Sequence, residues 1–172
     1  MNYVIEELNK DNVEEYVRVN ALSWKQSYQG IVNDDFLELI NEENQIQNSI
    51  KRIIVNELTD NTNKGFVLRV DDKAVGMLRV GLSRNEKYNK EGELKAIYLL
   101  DEAKHKGYGK ILFQKAIEEL KKLGYKNIII ACLKENPSNE FYKHMGGKLV
   151  GTNNFKIPNQ VLEENVYYFE SI

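Results

Sequence analysis

Apolar residues recur along this chain at two alternating periods, and the switches between the periods mark its elements. Tyr3 to Leu8 alternates as a strand does, and Asp11 or Asn12 stands where the next helix needs a cap. Val13, Tyr16, Val17, Asn20, Ala21 and Trp24 then fall at helical spacing, with Gly30 as a natural stop. Asp34-Asp35 opens a short helix through Phe36, Leu37 and Leu39, and Ile46, Ile50, Ile53, Ile54 and Leu58 predict another. The polar stretch Thr59 to Lys64 reads as a loop. From Gly65 the period drops to two: Phe66 to Val70, the turn Asp71-Asp72-Lys73, and Ala74 to Leu82 predict a β-hairpin.

Glu93 to Leu100 is the next strand, followed by a loop and by a helix carried on Tyr108, Ile111, Leu112, Ala116, Ile117, Leu120 and Leu123. Gly124 ends that helix. Lys126 to Leu133 reads as a buried strand, Ser138 to Met145 as a short helix, and Lys148 to Thr152 and Val161 to Phe169 as two closing strands. The central strand, helix, strand unit predicts a right-handed parallel crossover. The expected fold class is α+β: an α/β sandwich whose mixed, mostly antiparallel sheet of about seven strands carries helices on both faces.

A length of 172 residues suits one domain spanning 1–172. No apolar run approaches the roughly 18 residues of a membrane span, and the N-terminus lacks the regions of a signal peptide, so no membrane partner and a cytoplasmic location are expected. A net charge of −2 argues against nucleic acid. Cys132 sits in an apolar run and has no partner for a disulfide. His105 and His144 have no metal-ligand spacing, so no metal is expected.

The cations are concentrated where they change this picture. Lys104-His105-Lys106-Gly107-Tyr108-Gly109-Lys110 sets two glycines among lysines, between a strand and a helix N-terminus, as an anion cradle requires. It is not a P-loop, since Lys104 stands where the first glycine would be and Ile111 where Ser or Thr would bind Mg²⁺. Nor is it a dinucleotide fingerprint, because Leu112 replaces the third glycine and no acidic residue follows at the right distance.

With its flanks, the cradle resembles the coenzyme A loop of the GNAT superfamily of N-acetyltransferases, of form Q/R-x-x-G-x-G/A, with Lys104 replacing the first residue. Glu93 to Leu99 resembles the family's preceding strand, and Asn136 to Gly147 its N…FY…GG segment. Ser23 to Val32 is similar to the first helix of a bacterial subgroup that includes polyamine acetyltransferases. The resemblance implies acetyl-coenzyme A as cosubstrate, direct transfer in a ternary complex, and a primary amine as acceptor, preferably a polyamine or other small molecule. A protein or peptide acceptor and a non-catalytic acyl-coenzyme A sensor are the alternatives, in a monomer or homodimer.

The chemistry assigns roles residue by residue. Main-chain N–H groups from His105, Lys106, Gly107, Tyr108, Gly109 and Lys110 suit a pyrophosphate. By the resemblance, Ile97, Tyr98 and Leu99 pair with the pantetheine arm, and Asn136, Phe141 and Lys143 belong to the cofactor segment. Asn136 before Pro137 also reads as a turn former. An alkylamine with a pKa of about 10.4 must lose a proton before it attacks. Glu93 is the candidate acceptor of that proton, or alternatively the solvated start of its strand. Tyr142 is the candidate general acid for the leaving thiolate. Trp24 and Tyr28 suit an acceptor pocket for an aliphatic cation, with core packing as the other reading of Trp24.

Overall fold

The computed structural model describes residues 2–172. Its strands are β1 (Tyr3–Glu7), β2 (Asn63–Val70), β3 (Lys73–Leu82), β4 (Gly92–Leu99), β5 (Ile128–Leu133), β6 (Lys148–Ile157) and β7 (Gln160–Phe169). They form one sheet in the order β1-β2-β3-β4-β5-β7-β6, antiparallel except between β4 and β5. The helices are α1 (Val13–Ser27), α2 (Asp34–Asn41), α3 (Glu43–Arg52), α4 (Tyr108–Lys122) and α5 (Ser138–His144). The expected α+β sandwich is therefore the observed one.

Period-two alternation divides the core between the two faces of the sheet. Phe66 and Leu68 of β2 pack with Leu112, Phe113, Ala116 and Leu120 of α4 and with Tyr142 of α5. Val67, between them in sequence, points the other way to Val13, Tyr16 and Val17 of α1 and Ile46 of α3. A third cluster gathers Tyr28, Val32 and Leu37 against Leu133, with Trp24, Tyr98 and Phe155 at its edge. No helix among the described residues is long and apolar enough to cross a membrane.

Local chemistry departs from the sequence pattern in three places. Asn12 does not cap α1: its Oδ1 accepts from the N–H of Asn9 at 2.8 Å and its Nδ2 donates to the Glu7 carbonyl at 3.0 Å, tying the helix entry back to β1. The helix expected through Leu58 continues past α3 as a wide π turn, Ile53–Glu57. The sixth strand runs on from Thr152 to Ile157, because pairing with β7 overrides the poor strand propensity of Asn153 and Asn154. Pro158 and Asn159, with φ +63° at Asn159, then close that hairpin.

Two irregularities of β4 position the site. Ala96 lies opposite Arg79 and Leu94 opposite Val80, so Lys95 is the extra residue of a β-bulge. The bulge shifts the alternation, which sets Glu93, Lys95 and Tyr98 along one cavity while Leu94, Ile97 and Leu99 pack toward α4. The parallel ladder to β5 is also short, holding only Gly92 opposite Ile128 and Glu93 opposite Ile129. Past Glu93 the two strands part.

Candidate active site

Where β4 and β5 separate, the β5-facing edge of β4 runs without a strand partner through Tyr98 and Leu99. Such an edge offers main-chain donors and acceptors to an extended ligand. The glycine loop stands beside its far end, since a Cβ built on Gly109 would lie 3.9 Å from Leu99 and 3.9 Å from Phe141 of α5. His105 (φ +59°) and Gly107 (φ +87°) turn the loop through left-handed conformations. No side chain caps α4. The N–H groups of His105, Lys106, Gly107, Gly109 and Lys110 donate to no other group among the described residues. Open donors at a helix N-terminus hold anions, so the residues present fit a phosphate-bearing ligand.

Behind the gap, Tyr142 is buried on α5 with its ring 5.5 Å from Phe141 and 6.1 Å from Tyr167. Its hydroxyl has no hydrogen-bond partner among the described residues. Burial pushes its pKa well above 10, and neighbouring Cys132 and Tyr98 add to the rise. The Cys132 thiol is itself pushed up to about 12, by burial and then by Glu164. The helix that carries Tyr142 is locked by Asn139, which is buried. Its Nδ2 donates to the carbonyls of Leu133 (2.9 Å), Lys134 (3.3 Å) and Asn136 (2.6 Å), and its Oδ1 accepts from Tyr167 Oη (2.6 Å) and Asn165 Nδ2 (3.0 Å). Gly147 lets the exit from α5 close onto β7, for a Cβ there would meet Phe169 at 2.7 Å.

On the opposite face of the sheet lies a cavity of about 260 Å³. Trp24, Tyr28, Tyr98 and Phe155 form aromatic walls, and Trp24 meets Tyr28 edge-on at 4.7 Å. Tyr28 and Tyr98 share a hydrogen bond of 3.3 Å between their hydroxyls, and Asn136 Nδ2 donates to Tyr28 Oη at 3.3 Å. Glu93 is only 3% exposed. Arg84 holds its carboxylate through three donors: the main-chain N–H (3.1 Å), Nε (3.0 Å) and Nη2 (3.2 Å). Glu164 of β7 also lines the cavity, and burial raises its carboxyl above the usual range.

The stretch that carries the anion cradle, the parted strands and the buried tyrosine falls within residues 23–147, which a model of the acetyltransferase (GNAT) family matches. The chain belongs to the GNAT acetyltransferase family. It is 29% identical over 164 residues to the uncharacterized N-acetyltransferase YuaI of Bacillus subtilis (strain 168), covering 93% of this chain and 88% of that protein. The PaiA N-acetyltransferase of Thermoplasma acidophilum, solved with coenzyme A, shares its fold at a TM-score of 0.73 and 23% identity, covering 96% of this chain and 98% of that one. YncA of Salmonella typhimurium, solved with acetyl-coenzyme A, superposes at a TM-score of 0.72 and 13% identity, covering 98% and 93%.

The GNAT chain groups its sequence-predicted site residues in two places, one on each side of the gap. Trp24, Tyr28, Glu93 and Tyr98 meet at the cavity, whereas Gly107, Gly109, Phe141 and Tyr142 lie on the α4 face. Glu93 is buried rather than being the solvated start of its strand. Asn136 fits its reading as a turn former, since its Oδ1 accepts from the N–H of Ser138 at 2.9 Å, and its Nδ2 donates to Tyr28 Oη. The Tyr108 side chain is buried in the core and meets Tyr3 edge-on at 6.0 Å, so only its main chain borders the cradle. Lys104 is tied to Asp101 (2.6 Å) and Ser27 (3.2 Å), and Lys143 to Glu140 (3.0 Å), away from the gap. Sequence reasoning passed over Arg84, Asn139, Phe155 and Glu164. Glu164 had a readable signal, being a carboxylate at the inward parity of Leu162 and Val166.

Proposed function

We propose that this GNAT enzyme uses acetyl-coenzyme A to acetylate the primary amine of a small molecule, a polyamine being the preferred acceptor, by direct transfer in a ternary complex. The carrying observation is the unpaired edge of β4, which borders the cavity at Tyr98 and reaches the open N–H groups of the cradle at Leu99. Coenzyme A supplies a thioester, the activated acyl group that an amine can attack. The cradle N–H groups and the α4 dipole bind its phosphates, with Lys106 and Lys110 adding charge. The main chain of Ile97, Tyr98 and Leu99 pairs with the pantetheine arm and polarises the acyl carbonyl. Similarity to PaiA and YncA, solved with coenzyme A and acetyl-coenzyme A, supports this assignment.

The acceptor amine enters the aromatic cavity and loses its proton there. Glu93 takes that proton in this reading, directly or through water, with Arg84 fixing the carboxylate. Tyr142 stays protonated throughout the neutral range and donates to the departing sulfur, which lowers the cost of the thiolate. The whole chain, residues 1–172, works as one N-acetyltransferase domain. The deciding experiment follows thiol release from acetyl-coenzyme A with polyamines, amino acids, aminoglycosides and peptides as acceptors. Turnover with small amines is expected. Turnover with peptides alone would overturn the acceptor class, and none with any amine would favour an acyl-coenzyme A sensor.

A further inference from the structure

We infer that Glu164 anchors a second cationic group of the acceptor, which makes the substrate an alkyl diamine or longer polyamine and not a lone amine; the inference rests on the acetyl-transfer reading above. Glu93 and Arg84 pair with each other at 3.0 Å and offset one another. Lys95 contributes its stem to the wall, but its Nζ donates to Asn63 Oδ1 at 2.6 Å, on the far side of β4 from β5. Glu164 makes no ion pair among the described residues: the Asn153 side chain and the more distant Arg84, already held at Glu93, favour its charged form, but no cation is seated on it.

Its placement separates it from the reacting amine. Glu164 stands on β7, opposite Leu133 of β5 and Asn153 of β6, whereas the attacking nitrogen must sit at the β4 edge. In the acetyl-transfer reading that nitrogen gives its proton to Glu93, which leaves the Glu164 carboxylate to a different group. Trp24, Tyr98 and Phe155 line the same cavity, an aromatic surface suited to an aliphatic chain that carries a cation. A lone amine would leave Glu164 partly desolvated with only the Asn153 side chain as a neutral partner, which discriminates against it. A second ammonium would satisfy the carboxylate. Burial already holds the Glu164 carboxyl above its usual range, and a cation beside it would relieve that cost.

The test compares a linear diamine with a monoamine of equal chain length, for the wild type and for Glu164→Gln. In the variant, the ratio of kcat/KM for the diamine to that for the monoamine should fall by roughly 10-fold to 100-fold, the loss falling on the diamine KM. Glu163→Gln, an exposed outward neighbour, should keep the wild-type ratio. Should Glu164→Gln fail to fold, salt dependence reads the same contact in the wild type: the diamine KM should climb with ionic strength more steeply than the monoamine KM. An unchanged ratio, or equal salt slopes, overturns the role of Glu164 and leaves acetyl transfer standing. Absence of turnover with every amine overturns both.

Discussion

Tyr142 combines a hydroxyl without a partner among the described residues with a pKa that burial holds well above 10. Tyr142→Phe therefore removes no protein hydrogen bond, and its melting temperature should not fall below the wild-type value. Its kcat should drop by ~10²-fold to 10⁴-fold, the usual contribution of a positioned acid, while coenzyme A affinity by calorimetry stays the same. Unchanged turnover would remove Tyr142 from the mechanism. Gly109 makes the complementary case on the binding side. A Cβ there meets neighbours only at 3.9 Å, so Gly109→Glu should fold normally. Its carboxylate would confront an anionic ligand at the cradle, and calorimetry should detect no coenzyme A binding; retained affinity would sink the cradle assignment.

α5 is only seven residues long, and one side chain supplies most of its hydrogen bonds to the strands. Asn139 joins the end of β5, the turn before α5 and the inner face of β7 through its five hydrogen bonds. Asn139→Ala would strand those buried partners, so a stability loss of about 3 kcal/mol is expected from urea unfolding, together with a lower kcat as Tyr142 shifts. A loss below about 1 kcal/mol would mean that water replaces the amide. The same element marks how far the sequence could be read. The order of strands and helices followed from periodicity alone, since each amphipathic segment buries the face its spacing prescribes. The cradle was legible because glycines in a row of lysines are read locally. Asn139 was not, because its partners Asn165 and Tyr167 are brought to it only by the β5 and β7 pairing. Arg84 escaped notice for the same reason: it reads as a surface cation until β3 and β4 fold it onto Glu93.

Across the whole molecule, the tyrosines set the alkaline limit. Tyr28, Tyr98 and Tyr142 all have pKa values raised by burial above 10, the value of a free phenol. A raised folded-state value means that the unfolded chain ionises first, so the stability these groups support is whole below pH 10 and is lost as pH rises beyond it. Melting temperature should hold up to about pH 10 and then decline, and the tyrosinate absorbance lost in the Tyr28→Phe, Tyr98→Phe and Tyr142→Phe variants should be that which appears together with unfolding. Ionisation of these three tyrosines in a protein that stays folded would contradict the burial. The parted strands have a mechanical consequence as well. Among the described residues, two residue pairs are the only ladder between a four-stranded half, β1 to β4, and a three-stranded half, β5 to β7. An extended ligand seated along that opening acts as a splint, knitting the halves into a continuous surface, and amide exchange along β4 and β5 should slow as it binds.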